Sequence, residues 1–324
     1  MLLSTSFACS SADDDPGRTD GGADAGPKDV GNGDPEVLVG TFQVRLVAPV
    51  EASPGVDPAP GFTTVFGKVY DGPTPATLIW EEVERSGECT LLTPRVPFCN
   101  TPCGGSAACV EDDVCQAYPT ARSVGLVTVT GLSSTTGPVD LELRPVANNY
   151  QNPANVELAY PAFGEGQQIG LSAAGDLLPS FAVSAFGIQP LTLGDTELRL
   201  VGGQALNLSW SVPGDPALAR VVVKLDISHH GGTKGKIECD ATDDGSLEIP
   251  GAMIGQLLAL GVAGFPTVIA TRRSVASTRI AVGRVDLAIS ADDERPVIID
   301  GLTSCTEDGD CSGGATCQPD LTCR

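Results

Sequence analysis

The sequence has few aromatic residues, few histidines and few basic side chains. Aromatic residues make up 5% of the 324 positions, there are 2 His, and 19 Lys and Arg stand against 41 Asp and Glu, which gives a net charge of -22. A chain this acidic is repelled by a phosphate backbone, so the composition excludes nucleic-acid binding through counterion release. Because no run of about 18 apolar residues occurs, the sequence predicts no membrane-spanning helix.

The sequence also lacks the short motifs of common enzyme classes: G-x-S-x-G, H-E-x-x-H, and a Gly-rich phosphate loop ending in Lys-Ser/Thr. The two histidines, His229 and His230, are adjacent in SHHGGTKGK. Adjacent side chains usually point apart, and a metal site needs further ligands on rigid elements, so we interpret this segment as a solvated hairpin loop. Carboxylate pairs that cleave glycosides depend on tertiary geometry, but only 2 Trp and 4 Tyr could serve as sugar platforms. We expect a protein that is not an enzyme and has no metal or cofactor.

Glycine and proline are abundant, with 39 and 25 residues, and the hydrophobic fraction is 41%. This composition favours short strands joined by loops over long helices. Alternating, β-branched runs predict strands near the following residues: 41–48, 62–70, 76–84, 123–132, 139–146, 155–161, 167–173, 181–186, 206–212, 219–228, 266–274 and 278–290. Apolar residues at helical spacing predict one helix over 250–260. The predicted fold class is mainly β, with one or two antiparallel β-sandwich units, small disulfide-rich modules and one short helix.

The eleven cysteines carry the most specific pattern in the chain. Four of them, in residues 99–115, have C-x3-C-x5-C-x5-C spacing, and four more, in 305–323, have C-x5-C-x5-C-x5-C spacing. We call these segments the insertion module and the C-terminal module. CGGSAACVEDDVC (103–115) and CSGGATCQPDLTC (311–323) share six of thirteen residues, which indicates two copies of one module. Segments this short cannot build an apolar core, so two disulfides in each must supply the order.

Zinc is the competing interpretation of these cysteines, but x5 spacings and the lack of a nearby His argue against it. Four cysteines allow three pairings, and the sequence does not choose among them. Cys89 and Cys239 are then left for each other, with a local Cys89–Cys99 bond as the alternative. The predicted disulfide residues imply an oxidising compartment; they are Cys89, Cys99, Cys103, Cys109, Cys115, Cys239, Cys305, Cys311, Cys317 and Cys323.

The eleventh cysteine, Cys9, follows small residues at Ser6 and Ala8 and precedes an abrupt change to acidic, Gly-rich sequence. This junction resembles a bacterial lipoprotein processing site, although a basic segment and most of an apolar segment before it are missing. That gap indicates a late translation start or a shortened chain. The resemblance implies lipidation of Cys9, the odd cysteine; an ordinary cysteine near a disordered terminus is the alternative. Residues 10–36 contain seven Asp and no Leu, Ile or aromatic residue, so they predict a disordered tether.

Two acidic segments invite a calcium interpretation. Asp240, Thr242, Asp244 and Gly245 match the first half of a calcium loop, but Gly251 occupies the position of the required bidentate acid. An Asp-Asp-Gly turn is the better interpretation. The acids of the C-terminal module could bind calcium weakly, although a charged turn accounts for them equally well; they are Glu307, Asp308 and Asp310.

The predicted organisation has five parts: a residual signal and lipobox segment (1–9), the acidic tether (10–36), a β domain with a Cys-rich insertion at 89–115 (37–148), a β-sandwich domain (149–300) and the disulfide-rich C-terminal module (301–324). Within residues 149–300, the strand that contains Trp210 and the spacing of the turns resemble those of fibronectin-III-like or immunoglobulin-like domains. A single larger sandwich over 37–300 is the alternative, and a Cys89–Cys239 bond would favour it.

This layout of Cys9, acidic tether, β-sandwich body and Cys modules resembles outer-membrane lipoproteins of Gram-negative bacteria. The resemblance implies anchoring to the outer membrane through acylated Cys9, with a periplasmic or surface-exposed body; Ser10 suits export to that membrane. We expect a non-enzymatic binding or adhesion protein whose partner is an envelope or extracellular protein or a glycan. A structural subunit of an envelope assembly and a secreted hydrolase are the alternative functions.

Overall fold

The computed structural model describes residues 37–52, 57–194 and 197–324, so Cys9 and the predicted tether lie outside the described residues. The described elements, in chain order, are β1 (Leu38–Val47), β2 (Phe62–Val69), β3 (Ile79–Ser86), β4 (Cys89–Arg95), β5 (Ala107–Glu111), β6 (Val114–Ala117), β7 (Val127–Ser134), β8 (Gly137–Leu143), β9 (Asn149–Gln151), β10 (Gln168–Ala173), β11 (Phe181–Phe186), β12 (Leu198–Leu200), β13 (Leu206–Ser209), β14 (Arg220–Asp226), β15 (Lys236–Thr242), β16 (Ser246–Ile249), α1 (Gly251–Ala259), β17 (Thr267–Ile280) and β18 (Gly283–Ile299).

The protein is mainly β with one α-helix among the described residues, as predicted. Alternation explains the strands: along β14 the side chains of Val221, Val223 and Leu225 are buried and those between them are partly exposed. The helix α1 lies where predicted and buries Met253, Ile254 and Leu257. No helix in the described ranges combines the length and the apolar character needed to cross a membrane.

The described residues cluster into two compact units that interleave along the chain. Within the described ranges, unit 1 contains residues up to 77 together with 97–187 and 275–289, and unit 2 contains 78–96, 188–274 and 290–324. Each unit therefore takes one half of β17 and one half of β18. The predicted boundary near 148–153 falls inside unit 1, where β9 pairs with β2.

Unit 1 is a β-sandwich. One sheet has the order β9–β2–β1 and continues into the first half of β18 and the end of β17, and the other has the order β11–β10–β7–β8. Phe42 on β1 is fully buried and its ring lies 6.3 Å from that of Phe181 on β11, so the two sheets meet at this contact. Opposite Phe42 in the register stands Gly67, where a Cβ atom would come within 2.2 Å of the ring. Gly67 therefore makes the room that the aromatic core needs.

Unit 2 is built on one larger sheet with the order β3–β4–β15–β14, followed by the first half of β17 and the second half of β18. Its ladders are antiparallel except for β12, which pairs in parallel with β18. The short β13–β16 pair and α1 complete the unit. Trp210 follows β13 directly, is buried, and donates its Nε1–H to Asp243 at 2.8 Å.

Candidate functional site

The long-range disulfide predicted for the body is present, between Cys89 on β4 and Cys239 on β15. The two residues stand directly opposite each other in an antiparallel ladder, and both are buried. The bond is possible because residues 78–96 belong to unit 2. Residues 97–187, which belong to unit 1, separate them in the chain from the next segment of unit 2. The alternative bond between Cys89 and Cys99 is therefore wrong.

The two cysteine modules have the same connectivity, which the sequence left open. In each, the first cysteine pairs with the third and the second with the fourth: Cys99–Cys109 and Cys103–Cys115, and Cys305–Cys317 and Cys311–Cys323. The corresponding Cα–Cα distances are 5.9 and 5.5 Å in the insertion module and 5.8 and 5.5 Å in the C-terminal module. The modules are thus two copies of one crosslinked structure.

The sulfur atoms within each module crowd together in a way that resembles a metal site. Those of Cys99, Cys103 and Cys115 lie within 4.8 Å of one another. Each of them is nevertheless half of a disulfide and is not the thiolate that zinc binds. Their closeness follows from the stacking of two disulfides.

Both modules fold around a tight β turn. Cys109 stands opposite Cys115, and Cys317 opposite Cys323. The residue two positions before the last cysteine has a left-handed backbone in both copies, with φ of 61° at Asp113 and 58° at Leu321. Such a conformation is uncommon for a residue with a side chain, so the shared turn is evidence of likeness beyond the cysteines.

The acids of the modules are used by the modules' own loops. Asp310 accepts hydrogen bonds from Thr306 and from the backbone N–H of Glu307, while Asp308 accepts one from Cys317 N. The hydrogen bond from the Thr306 backbone N–H, followed by that from its hydroxyl, holds the pKa of Asp310 below its usual range. Of the three acids considered for calcium, Glu307 and Asp310 therefore cap the short helical turn of residues 308–310, and Asp308 binds the backbone N–H of Cys317.

The residues next to the first and last cysteines have different surroundings in the two modules. In the C-terminal module, Ser304 donates to Gly264 O at 2.5 Å and Gly264 N donates to Asp320 O at 2.7 Å, and these bonds attach the module to the rest of unit 2. Cys305 and Thr322 are accordingly 1% and 2% exposed.

In the insertion module, the residue before the first cysteine is Phe98, and the residue matching Thr322 is Val114. Phe98 is 68% exposed and Val114 is 44% exposed. The module contacts unit 1 through another part of its surface, where Gln116 donates to Pro73 O at 2.8 Å. We call Phe98 and Val114 together the Phe98 face.

The histidine pair lies in the loop between β14 and β15, as the hairpin interpretation requires. The two rings do not point apart, however: their centroids are 3.9 Å apart. The loop is also less solvated than predicted, since His229 is half-buried and its carbonyl accepts a hydrogen bond from Phe265 N. Burial, followed by the neighbouring His230, lowers the pKa of His229 below its ordinary value, so its neutral form is favoured.

Side chains of the segment considered as a calcium loop bind other residues of unit 2. Asp240 is bound to Arg220 Nε at 2.5 Å, and Thr242 contacts Asp244 at 3.3 Å in the turn that ends at Gly245. The most buried acid in the segment is Asp243, whose role sequence reasoning missed.

A shallow recess of about 380 Å³ lies on the four-stranded sheet of unit 1. Hydroxyl and small side chains from β7, β10 and β11 line it, among them Thr128, Thr130, Ser172 and Ser184. These groups can hydrogen-bond a polar ligand, but none of the lining side chains is an acid, a base or an aromatic platform. The recess therefore lacks the charged and aromatic groups that usually orient a bound ligand.

Comparison of the chain with protein-family models and with curated proteins gave no match. The functional assignment therefore depends on the geometry described above. The Phe98 face is the feature that sequence reasoning missed. A comparison of the positions next to the cysteines of the two modules would have revealed it, because Phe98 and Val114 stand where the other copy has Ser304 and Thr322.

Proposed function

We propose that the protein is a non-enzymatic, lipid-anchored binding protein of the bacterial cell envelope, attached to the outer membrane through acylated Cys9. The observation that carries the proposal is that the ten cysteines of the described residues all pair with one another. Cys9 is thus left without a cysteine partner in its own chain. A thiol with the small residues Ser6 and Ala8 before it fits the substrate of lipoprotein processing.

The disulfides support a location outside the cytoplasm. Five disulfides in one chain require an oxidising compartment, such as the periplasm or the cell surface. Acyl chains on one cysteine provide firm attachment, since each buried CH₂ contributes about 0.8 kcal/mol. Acylated Cys9 would attach the protein to the membrane near its N-terminus.

A binding role agrees better with the described residues than catalysis does. The acids of the modules cap their own loops, and the recess on unit 1 is lined without acids or bases. The modules instead give rigid, disulfide-stapled surfaces, one of which exposes an aromatic side chain. Rigid exposed aromatics are typical anchors of protein interfaces, so the proposed partner is an envelope or extracellular protein.

The proposal is tested by the intact mass of the native protein, extracted from membranes under non-reducing conditions. We expect the N-terminus of the mature chain to be an acylated Cys9, and the mass to lack the ten hydrogens that five disulfides remove. Cys9→Ser should leave the membrane fraction, whereas the control Ser4→Ala should remain in it. An unmodified Cys9 in the mature protein, or free thiols among the other ten cysteines, would contradict the proposal.

A further inference from the structure

We propose that the Phe98 face of the insertion module is a docking surface for a partner protein that presents an apolar groove rimmed by Lys and Arg. The inference deepens the binding role proposed above and rests on it. It assigns that role to two residues, Phe98 and Val114, and gives the partner a stated chemistry.

The first argument is that the same face is a docking face in the other copy of the module. In the C-terminal module, Ser304, the residue before the first cysteine, binds Gly264 outside the module, and Thr322, the residue before the last cysteine, is buried. Backbone atoms of Gly264 complete the contact by bonding Ser304 and Asp320. The module scaffold is therefore able to present this face to a protein surface, and one copy does so within the chain.

The second argument is the exchange of side chains between the two copies. Where the docked face has a hydroxyl at both positions, the exposed face has a large aromatic and a branched aliphatic side chain, 68% and 44% exposed. Large apolar side chains that stay exposed on a small disulfide-linked module are typical of an interaction site. An aromatic anchor that enters a pocket contributes more binding energy than its neighbours.

The third argument is the rigidity of Phe98. Its backbone N–H donates to Asp112 Oδ1 at 3.0 Å, and its carbonyl accepts from Asp113 N at 3.1 Å. The next residue, Cys99, is held by its disulfide to Cys109. The peptide that carries the ring is thus fixed on both sides, so little backbone entropy is lost when a partner binds.

The negative charge of the insertion module indicates which kind of partner would bind the Phe98 face. Residues 97–119 contain three acids, Glu111, Asp112 and Asp113, and no Lys or Arg. A groove with basic residues at its rim complements this surface and orients the encounter. Residues 10–36 and a second copy of this chain are both acidic, and the chain as a whole carries -22, so neither is a favourable occupant.

The experiment is photo-crosslinking in living cells with the full-length, anchored protein. p-Benzoylphenylalanine is placed at position 98, and, in a matched control, at position 177, where Leu177 is 63% exposed elsewhere on unit 1. We expect a discrete protein adduct from position 98 alone, mapped by mass spectrometry to a peptide segment that contains apolar residues next to Lys or Arg. Adding Val114→Asp should reduce its yield about tenfold, the effect of about 1.4 kcal/mol of binding energy, while adding Leu177→Ser should not.

Several outcomes would overturn the proposal. They are an equal adduct from position 177, no adduct from position 98, an adduct with a second copy of this chain or with lipid, and an adduct that Val114→Asp leaves unchanged. The mass of the same preparation reports acylation of Cys9 and the disulfides. An anchored, fully oxidised protein without an adduct defeats only this inference, and an adduct from a protein without an acyl group defeats only the proposed anchoring.

Discussion

Arg272 and Asp243 form a two-point ion pair in the core of unit 2. The guanidinium donates from Nε to one carboxylate oxygen at 2.6 Å and from Nη2 to the other at 2.9 Å, and both side chains are buried. Its remaining hydrogens go to the carbonyls of Gln189, Pro190 and Ser211. Trp210 supplies a third donor to the carboxylate. The pair therefore fastens two loops to β17 through one side chain.

Replacing Arg272 by Met should lower the free energy of unfolding by about 3–5 kcal/mol, because it leaves the carboxylate of Asp243 buried without its counter-charge. The double variant Asp243→Leu/Arg272→Met should recover part of this loss but not all of it. In the double variant the indole N–H of Trp210 and the loop carbonyls that Arg272 binds still lack partners, so part of the loss remains.

Chemical denaturation measures these differences, with the fluorescence of Trp80 and Trp210 as the signal. The matched control is Arg220→Met, since Arg220 also pairs with an aspartate, Asp240, but near the surface. Its effect should stay below about 1 kcal/mol. Equal losses of unfolding free energy from the two arginine variants would show that the buried Arg272–Asp243 pair stabilises the protein no more than the surface Arg220–Asp240 pair does.

Removing the Cys89–Cys239 bond should destabilise the protein more than removing a bond of a module. The loops closed by the two kinds of bond differ greatly: Cys89 and Cys239 are 150 residues apart, and Cys103 and Cys115 are 12 apart. The chain-entropy estimate is about 5 kcal/mol for the long loop and about 3 kcal/mol for the short one. Denaturation of Cys89→Ala/Cys239→Ala and of Cys103→Ala/Cys115→Ala compares them directly, and a larger loss in the second variant would contradict the expectation.

Local patterns predicted most strands and the single helix, but not the order in which strands pair. Alternation identified β14, and apolar residues at helical spacing identified α1, because each element buries one face. Alternation also places Arg272 on the buried face of β17 with Val268 and Ala270. The sequence offered no partner for that arginine, since Asp243 reaches it from a turn. The predicted strand at 155–161 is irregular in the structure apart from a bridge between Leu158 and Ser134.

The sequence could not predict that the two units interleave along the chain. Strands β17 and β18 are long enough to serve both units, and no local residue marks the point where one half changes neighbours. The Cys89–Cys239 bond was predictable by elimination, because the modules account for the other eight cysteines. The pairing within the modules was not, since spacing alone permits three arrangements.

Lowering the pH from 7.5 to 5.5 should destabilise the protein in part through His229. Burial, with a further contribution from His230, lowers the pKa of His229 in the folded chain, while the unfolded chain has a value near about 6.5. The unfolded state therefore binds the proton more readily, so this contribution to stability is present above about pH 6.5 and is lost as the pH falls through the window below it.

The comparison that isolates this effect is the difference in thermal midpoint between wild type and His229→Gln at each pH. Other titrating groups contribute equally to both proteins, so the wild type should lose more stability between pH 7.5 and 5.5. His230→Gln, at the exposed neighbour, should alter the pH dependence less, because burial is the larger cause of the shift. Parallel curves for wild type and His229→Gln would contradict the prediction.

Substituting Gly231 by Ala should weaken the attachment of the C-terminal module to the rest of unit 2 without breaking its disulfides. A Cβ atom at this position would come within 2.3 Å of Gly264 N and 2.6 Å of Asp320 O, the two atoms whose hydrogen bond docks the module. Backbone atoms cannot move aside as a flexible side chain can, so the contact must open, at a cost of about 1–3 kcal/mol. We expect amide exchange at Cys305 and Cys323 to speed up about tenfold or more, through local opening.

The matched control is Gly202→Ala, which also lies in unit 2 and whose added Cβ would meet no atom within 4 Å. It should leave exchange in the module unchanged, and the non-reducing mass should show intact disulfides in both variants. If Gly231→Ala leaves exchange at Cys305 and Cys323 at the wild-type rate, Gly264 and Asp320 do not hold the module in solution. The C-terminal module would then give no precedent for a docking role of Phe98 and Val114.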